Sequence, residues 1–242
     1  MSLEITRHPV QRGLLRSAAA AFYCLLALRA SVPAAAEVAH GSVRETVHNL
    51  SVSGPGEVRS LTETEVCKFC HIPHNASVPS PLWSRRLSSV DYQTPSIRTP
   101  QGDRITAPQP DGSSRLCLSC HDGTIALGEI AGEPRRITMA GGPRLGPGRK
   151  GFLGTDLSGS HPISFVVPDG DYGTSDTDRD MGLKTLSAIR GSSEVRIDSE
   201  GKMQCTTCHD PHRDRYFREG MVPRFWVLPT VEEVCLTCHD LR

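Results

Sequence analysis

Residues 203–212 read MQCTTCHDPH. Cys205 and Cys208 stand three apart, His209 follows at once, and His212 comes three residues later, after Pro211. The core of this stretch recurs three more times: VCKFCHIPH at 66–74, LCLSCHDG at 116–123 and VCLTCHDL at 234–241. Eight of the nine cysteines fall in these pairs: Cys67/Cys70, Cys117/Cys120, Cys205/Cys208 and Cys235/Cys238. The ninth, Cys24, lies in an apolar N-terminal stretch.

A CxxC pair by itself admits a zinc site, a redox dithiol or a disulfide. None of these requires a histidine directly after the second cysteine. Here His71, His121, His209 and His239 all occupy that position. Covalent attachment of haem c does require it. The thiols add to the haem vinyl groups, and the adjacent imidazole is held under the ring as an axial ligand to iron. The motifs therefore predict four c-type haems; two Cys-rich zinc sites are the alternative.

Each iron has a second axial position. Apart from His8 and the motif histidines, the chain offers His40, His48, His74, His161 and His212. His74 and His212 share the context CHxPH. The proline fixes its own φ and keeps the preceding residue extended, so the trailing imidazole is aimed reproducibly. His212 is too close to His209 to reach around the same haem, so it is expected to ligate a neighbouring one. The chain also repeats in halves: an isolated histidine (His48 or His161), then CxxCHxPH, then CLxCHD. Chain order then assigns His48 to the first haem, His74 to the second, His161 to the third and His212 to the fourth, on Cys235 and Cys238. His40 is left over as a tail residue. With four histidines free, Met139, Met181, Met203 and Met221 are not needed as ligands.

Composition supports a cofactor-filled centre. Aromatics make up only 5% of the chain, against 22 glycines and 18 prolines. Segments 91–115 and 141–182 show neither helical nor strand period. So little apolar material would not offset the entropy of ordering the chain. The predicted fold is a multihaem cytochrome c: mostly coil, short helices at the CxxCH motifs, few or no strands, and a core organised by haem. Residues 1–36 have the layout of a signal peptide: Arg7, Arg12 and Arg16, an apolar stretch from Ala18 to Leu28, then Ala34-Ala35-Ala36. Residues 37–242 are expected to form the tetrahaem domain, readable as two dihaem modules of about 37–140 and 141–242. Residues 1–36 hold four of the 27 basic and one of the 27 acidic side chains, leaving 23 and 26 in the rest. This slight acidity argues against nucleic acid as a partner.

The stretches HNLSVSGPG (48–56), VCKFCHIPHNA (66–76), PLWSR (81–85), SRLCLSCHDGT (114–124), SHPISF (160–165), QCTTCHDPH (204–212) and CLTCHD (235–240) together resemble the multihaem cytochrome c family with doubled CxxCH motifs. The resemblance implies electron transfer through closely spaced bis-histidine haems outside the cytoplasm, in the periplasm or at the cell surface. It also implies redox proteins, such as cytochromes or quinol-linked complexes, or an extracellular donor or acceptor, as partners. Some similar proteins self-assemble into conducting filaments. An electron carrier is expected rather than an enzyme, because the histidines suffice to close every iron; a multihaem reductase with one open haem and a filament subunit are the alternatives. The aspartate-rich segment 169–180 departs from a calcium loop in its late glycine and missing glutamate, so it reads as solvated. Trp83 and Trp226 are candidates to pack on haem edges.

Overall fold

The structure is a computed structural model that describes residues 41–78, 81–99, 103–168 and 182–240. These belong to one compact unit, Ala39–Arg242. The signal-peptide reading of 1–36 and the acidic segment 169–180 lie outside the described residues.

Each CxxCH motif sits on a helical turn. Cys67–Phe69 is a single 3-10 turn. The other three are α1 (Gly112–His121), α3 (Cys205–Cys208) and α4 (Val231–Cys238), with the short α2 (Leu186–Arg190) between them in sequence. A CxxC pair needs both thiols on one side, and one helical turn places residues three apart on the same face. The start of α4 is set by a reciprocal cap: Thr230 Oγ1 accepts from the Glu233 amide at 3.1 Å, and Glu233 returns a carboxylate to the Thr230 amide at 3.1 Å. Both α3 and α4 stop where the motif histidine turns extended, His209 at φ −125° and His239 at φ −105°. In α1 the helix continues through His121 and breaks at Gly123, φ +74°. A Cβ there would meet Leu145 O at 2.5 Å, so the CHDG turn requires glycine.

Strands are few and short. Three antiparallel two-stranded ribbons pair Arg59–Ser60 with Met139–Ala140, Ser96–Arg98 with Arg104–Thr106, and Gly182–Leu183 with His239–Asp240. Mostly coil with short helices at the motifs is thus what the chain builds.

Among the described residues the apolar side chains form three small clusters rather than one core. Phe69, Ile72 and Ile130 pack beside motif one; Tyr92, Leu118 and Leu157 beside motif two; Val167, Ile189, Val195, Met203, Val227 and Val234 beside motifs three and four. Met203 and Met139 are packing residues, while Met221 is exposed. No helix among the described residues is long and apolar enough to cross a membrane.

Polar contacts tie residues 41–140 to the rest. Gln204, buried just before motif three, is the hub. Its Nε2 donates to Asp111 Oδ1 and Asp198 Oδ2, each at 3.0 Å. Its Oε1 accepts from Ser114 Oγ at 2.6 Å and from Ser164 Oγ at 3.3 Å. Lys202 adds an ion pair to Asp111 at 2.6 Å.

Beside motif two, Tyr92 donates its hydroxyl to the buried Asp122 at 2.7 Å. Burial, then the hydrogen bond to Asp122, push the phenol up to about 12. A folded value above the unfolded one of about 10 means that this stability is present below pH 10 and lost as pH rises toward 12. Tyr92→Phe should therefore cost about 1.5 kcal/mol at neutral pH and flatten the alkaline fall in melting temperature. A melting curve unchanged at neutral pH would refute the contribution.

Candidate haem-binding sites

Three of the four motif histidines face a second imidazole. His48 lies 6.0 Å from His121 between ring centroids, His212 lies 6.2 Å from His71, and His161 lies 6.3 Å from His239. Two imidazoles on opposite sides of one metal ion, each with nitrogen about 2 Å from it and half a ring beyond, stand about 6 Å apart. The interplanar angles are 64°, 26° and 65° in the same order.

This pairing corrects the one drawn from chain order. His48 meets the second motif, not the first; His212 meets the first, not the fourth; His161 meets the fourth, not the third. The local argument about His212 agrees with its placement, since its ring faces a different motif from His209. The identity of that motif depends on packing between distant segments. His48 Nδ1 is bound to Pro211 O at 3.0 Å, and its ring stacks on Phe225 at 4.0 Å, so the 209–225 loop carries His48 and His212 to their places together. Phe225, at φ +63°, is held by Asp214, whose carboxylate accepts from the Phe225 amide and from Arg224 Nη1, both at 2.6 Å. Neither residue carries a motif signal, and sequence reasoning missed both.

His74 is exposed. Among the described residues neither it nor His209 has another imidazole in ring contact; the ring against His209 is Trp226, edge-on at 5.0 Å. Trp83 stands likewise against His71 at 5.7 Å. Both tryptophans thus lie along the motif imidazoles.

Four more imidazoles turn Nδ1 to a backbone carbonyl, as metal-binding imidazoles do, whereas His239 Nδ1 is buried without a partner. His71 Nδ1 contacts Pro81 O at 2.7 Å, His121 Nδ1 contacts Gly151 O at 2.6 Å, and His209 Nδ1 contacts Arg224 O at 3.0 Å. His161 Nδ1 contacts Pro162 O at 2.9 Å. A carbonyl can only accept, so Nδ1 carries the proton and Nε2 keeps its lone pair for a metal. Burial, then the neighbouring His121, hold His48 down to about 4; burial likewise lowers His209. Both are therefore neutral bases at physiological pH.

The cysteines place the motifs in a row. Cys70 is raised to about 12 by burial, then by nearby Cys120. Cys117 shares a hydrogen bond with Cys205, which raises Cys117 and lowers Cys205. Burial, then Cys238 beside it, raise Cys208 to about 12. Motif one thus neighbours two, two neighbours three, and three neighbours four. No cluster of three or more His, Cys, Asp or Glu side chains suited to a bare metal ion occurs among the described residues. Imidazole pairs flanked by CxxC thiols fit a metal whose other four ligands come from a macrocycle, and fit zinc poorly.

A family model described as "Doubled CXXCH motif" matches residues 199–241. No curated protein matches the chain. The C-terminal segment thus carries the paired motif of c-type cytochrome-like proteins, whose CxxCH units indicate covalently bound haem c.

Proposed function

We propose that the chain carries four haems c in a row and relays electrons along them outside the cytoplasm. The observation that carries this reading is the set of three imidazole pairs at 6.0–6.3 Å, each joining a CxxCH histidine to one distant in sequence. The haems supply one-electron exchange between ferric and ferrous iron. The protein's part is to hold them: Cys67/Cys70, Cys117/Cys120, Cys205/Cys208 and Cys235/Cys238 anchor the rings. His71 with His212, His121 with His48, and His239 with His161 would ligate the iron of three of them. His74, the remaining CHxPH imidazole, is assigned to His209 by elimination alone, since no imidazole stands against His209 among the described residues. The signal-peptide layout of 1–36 supports export to the periplasm or the cell surface, with other redox proteins or an external donor or acceptor as partners.

The test is direct. The purified protein should contain four haems per chain and, when oxidised, show only low-spin iron by electron paramagnetic resonance. Histidine pairs should also leave all four potentials below those of His/Met cytochromes, since thioether ligation raises the potential. Two haems per chain, or zinc in their place, would defeat the proposal.

One observation favours a second reading, a reductase with one open haem. His209 faces a cavity of about 400 Å³ whose lining includes Arg213, Arg215, Tyr216 and Trp226. A stoichiometric high-spin signal that small anions perturb would select it.

A further inference from the structure

The stretch PLWSR, residues 81–85, clasps motif one to motif two. Pro81 O is the partner of His71 Nδ1. Trp83 lies edge-on to His71 and donates its indole N–H to Ser119 Oγ, inside motif two, at 3.2 Å. The Ser84 amide donates to Cys70 O at 2.9 Å. Arg85 follows, and it is the largest fully buried side chain among the described residues. Its Nη1 donates to Leu127 O at 2.7 Å and to Glu129 O at 3.2 Å, and its Nη2 donates to Ala126 O at 2.7 Å.

All three acceptors are neutral carbonyls, and Nε is buried with no partner. The Glu129 carboxylate turns instead to Arg86 at 2.6 Å and Arg136 at 3.2 Å. Arg86 and Arg136 thus share the Glu129 carboxylate, and the buried Arg85 makes no ion pair among the described residues. Buried charges are ordinarily paired because leaving water is costly. A guanidinium keeps its charge in proteins, so the cost stands. Ser84, next to Arg85, is bonded to Cys70 O, while the acceptors of Arg85 on Ala126, Leu127 and Glu129 follow motif two, so the charge lies between the two motifs. The buried carboxylate of Asp122 directly follows His121 in motif two, whereas the apolar Ile72 follows His71 in motif one.

We propose that Arg85 is a potential-setting residue: its buried positive charge raises the reduction potential of the haem on Cys67 and Cys70 above that of its neighbour on Cys117 and Cys120. The proposal rests on the four-haem reading. Reduction lowers the positive charge at iron by one, so a nearby cation favours the ferrous form, and a dry surrounding strengthens that preference. An electron leaving the second site is drawn to the first: ferric iron there is reduced, ferrous iron at the second site is oxidised, and no proton need move. Asp122 offsets the effect at the second motif and not at the first.

The experiment is a redox titration followed by electron paramagnetic resonance. The 26° crossing of His71 and His212, against 64° and 65° at the other two pairs, separates the first haem's ferric signal from theirs. Arg85→Gln should lower the first haem's ferrous-to-ferric ratio about tenfold at fixed potential, equivalent to about 59 mV. Arg85→Lys, which keeps the charge, should recover most of it. An equal fall at all haems, or none, would overturn the proposal. Should Arg85→Gln not fold, Asp122→Asn carries the test, because it removes the carboxylate that offsets Arg85 at the second motif and should raise the second haem's potential toward the first's. No change there overturns it equally. Full haem content without these shifts refutes only the role of Arg85, whereas a preparation lacking haem refutes the reading beneath it.

Discussion

Replacing His212 with glycine will open one axial position, and it will be that of the haem on Cys67 and Cys70. The ring of His212 lies 6.2 Å from His71, 141 positions earlier in the chain. The low-spin signal of that haem should give way to a high-spin one, and added imidazole should restore it. The effect is close to all-or-none, since a glycine offers no ligand. In a chain whose Cys67 and Cys70 are both replaced by alanine, His212→Gly should open nothing further. High-spin iron that persists in that background would place His212 on another haem and break the assignment.

Gln204→Leu will be among the most damaging single changes outside the motifs. The leucine removes both donors and the acceptor from a buried site. It leaves the Ser114 and Ser164 hydroxyls without their amide partner, and strips one donor each from Asp111 and Asp198. Unpaired buried polar groups cost about 1–3 kcal/mol each, so a loss of about 4 kcal/mol is expected, near 10 °C in melting temperature for a chain of this length. Gln204→Glu should be at least as harmful, because it sets a third carboxylate against Asp111 and Asp198. Denaturant unfolding followed at the haem absorbance measures both; a change below about 1 kcal/mol would show that the hub contributes little.

What the sequence made legible depends on distance along the chain. The CxxCH motifs are local, and the helical turns of 67–69, 112–121, 205–208 and 231–238 appear where the thiol spacing demands them. The scarcity of apolar side chains, from which a haem-organised core was expected, goes with three small clusters among the described residues. The distal partners were not legible, because the contacts that choose them are remote. His48 reaches motif two by leaning on Pro211 and Phe225. The repeat of isolated histidine and doubled motif suggested self-contained halves, yet the imidazole of the third motif's CHxPH is spent on the first. Arg85 could be read only as part of PLWSR, one of the stretches that resemble the multihaem family; its burial shows in the fold alone.

The bond between His48 and Pro211, 163 residues apart, has a consequence for how the protein is made. A chain that emerges N-terminus first presents the cysteines of motifs one and two long before residues 211–225 exist to complete either imidazole pair. On the four-haem reading, a ring attached at motif one or two before then would lack far-end support: motif one would want for His212, and motif two for the segment on which His48 leans. Joining segments so remote is slow on topological grounds. Thioether tethers would keep the unfinished chain loaded while that search proceeds. A truncation before residue 211 should accumulate as a haem-bearing, half-ligated species rather than as a smaller working carrier.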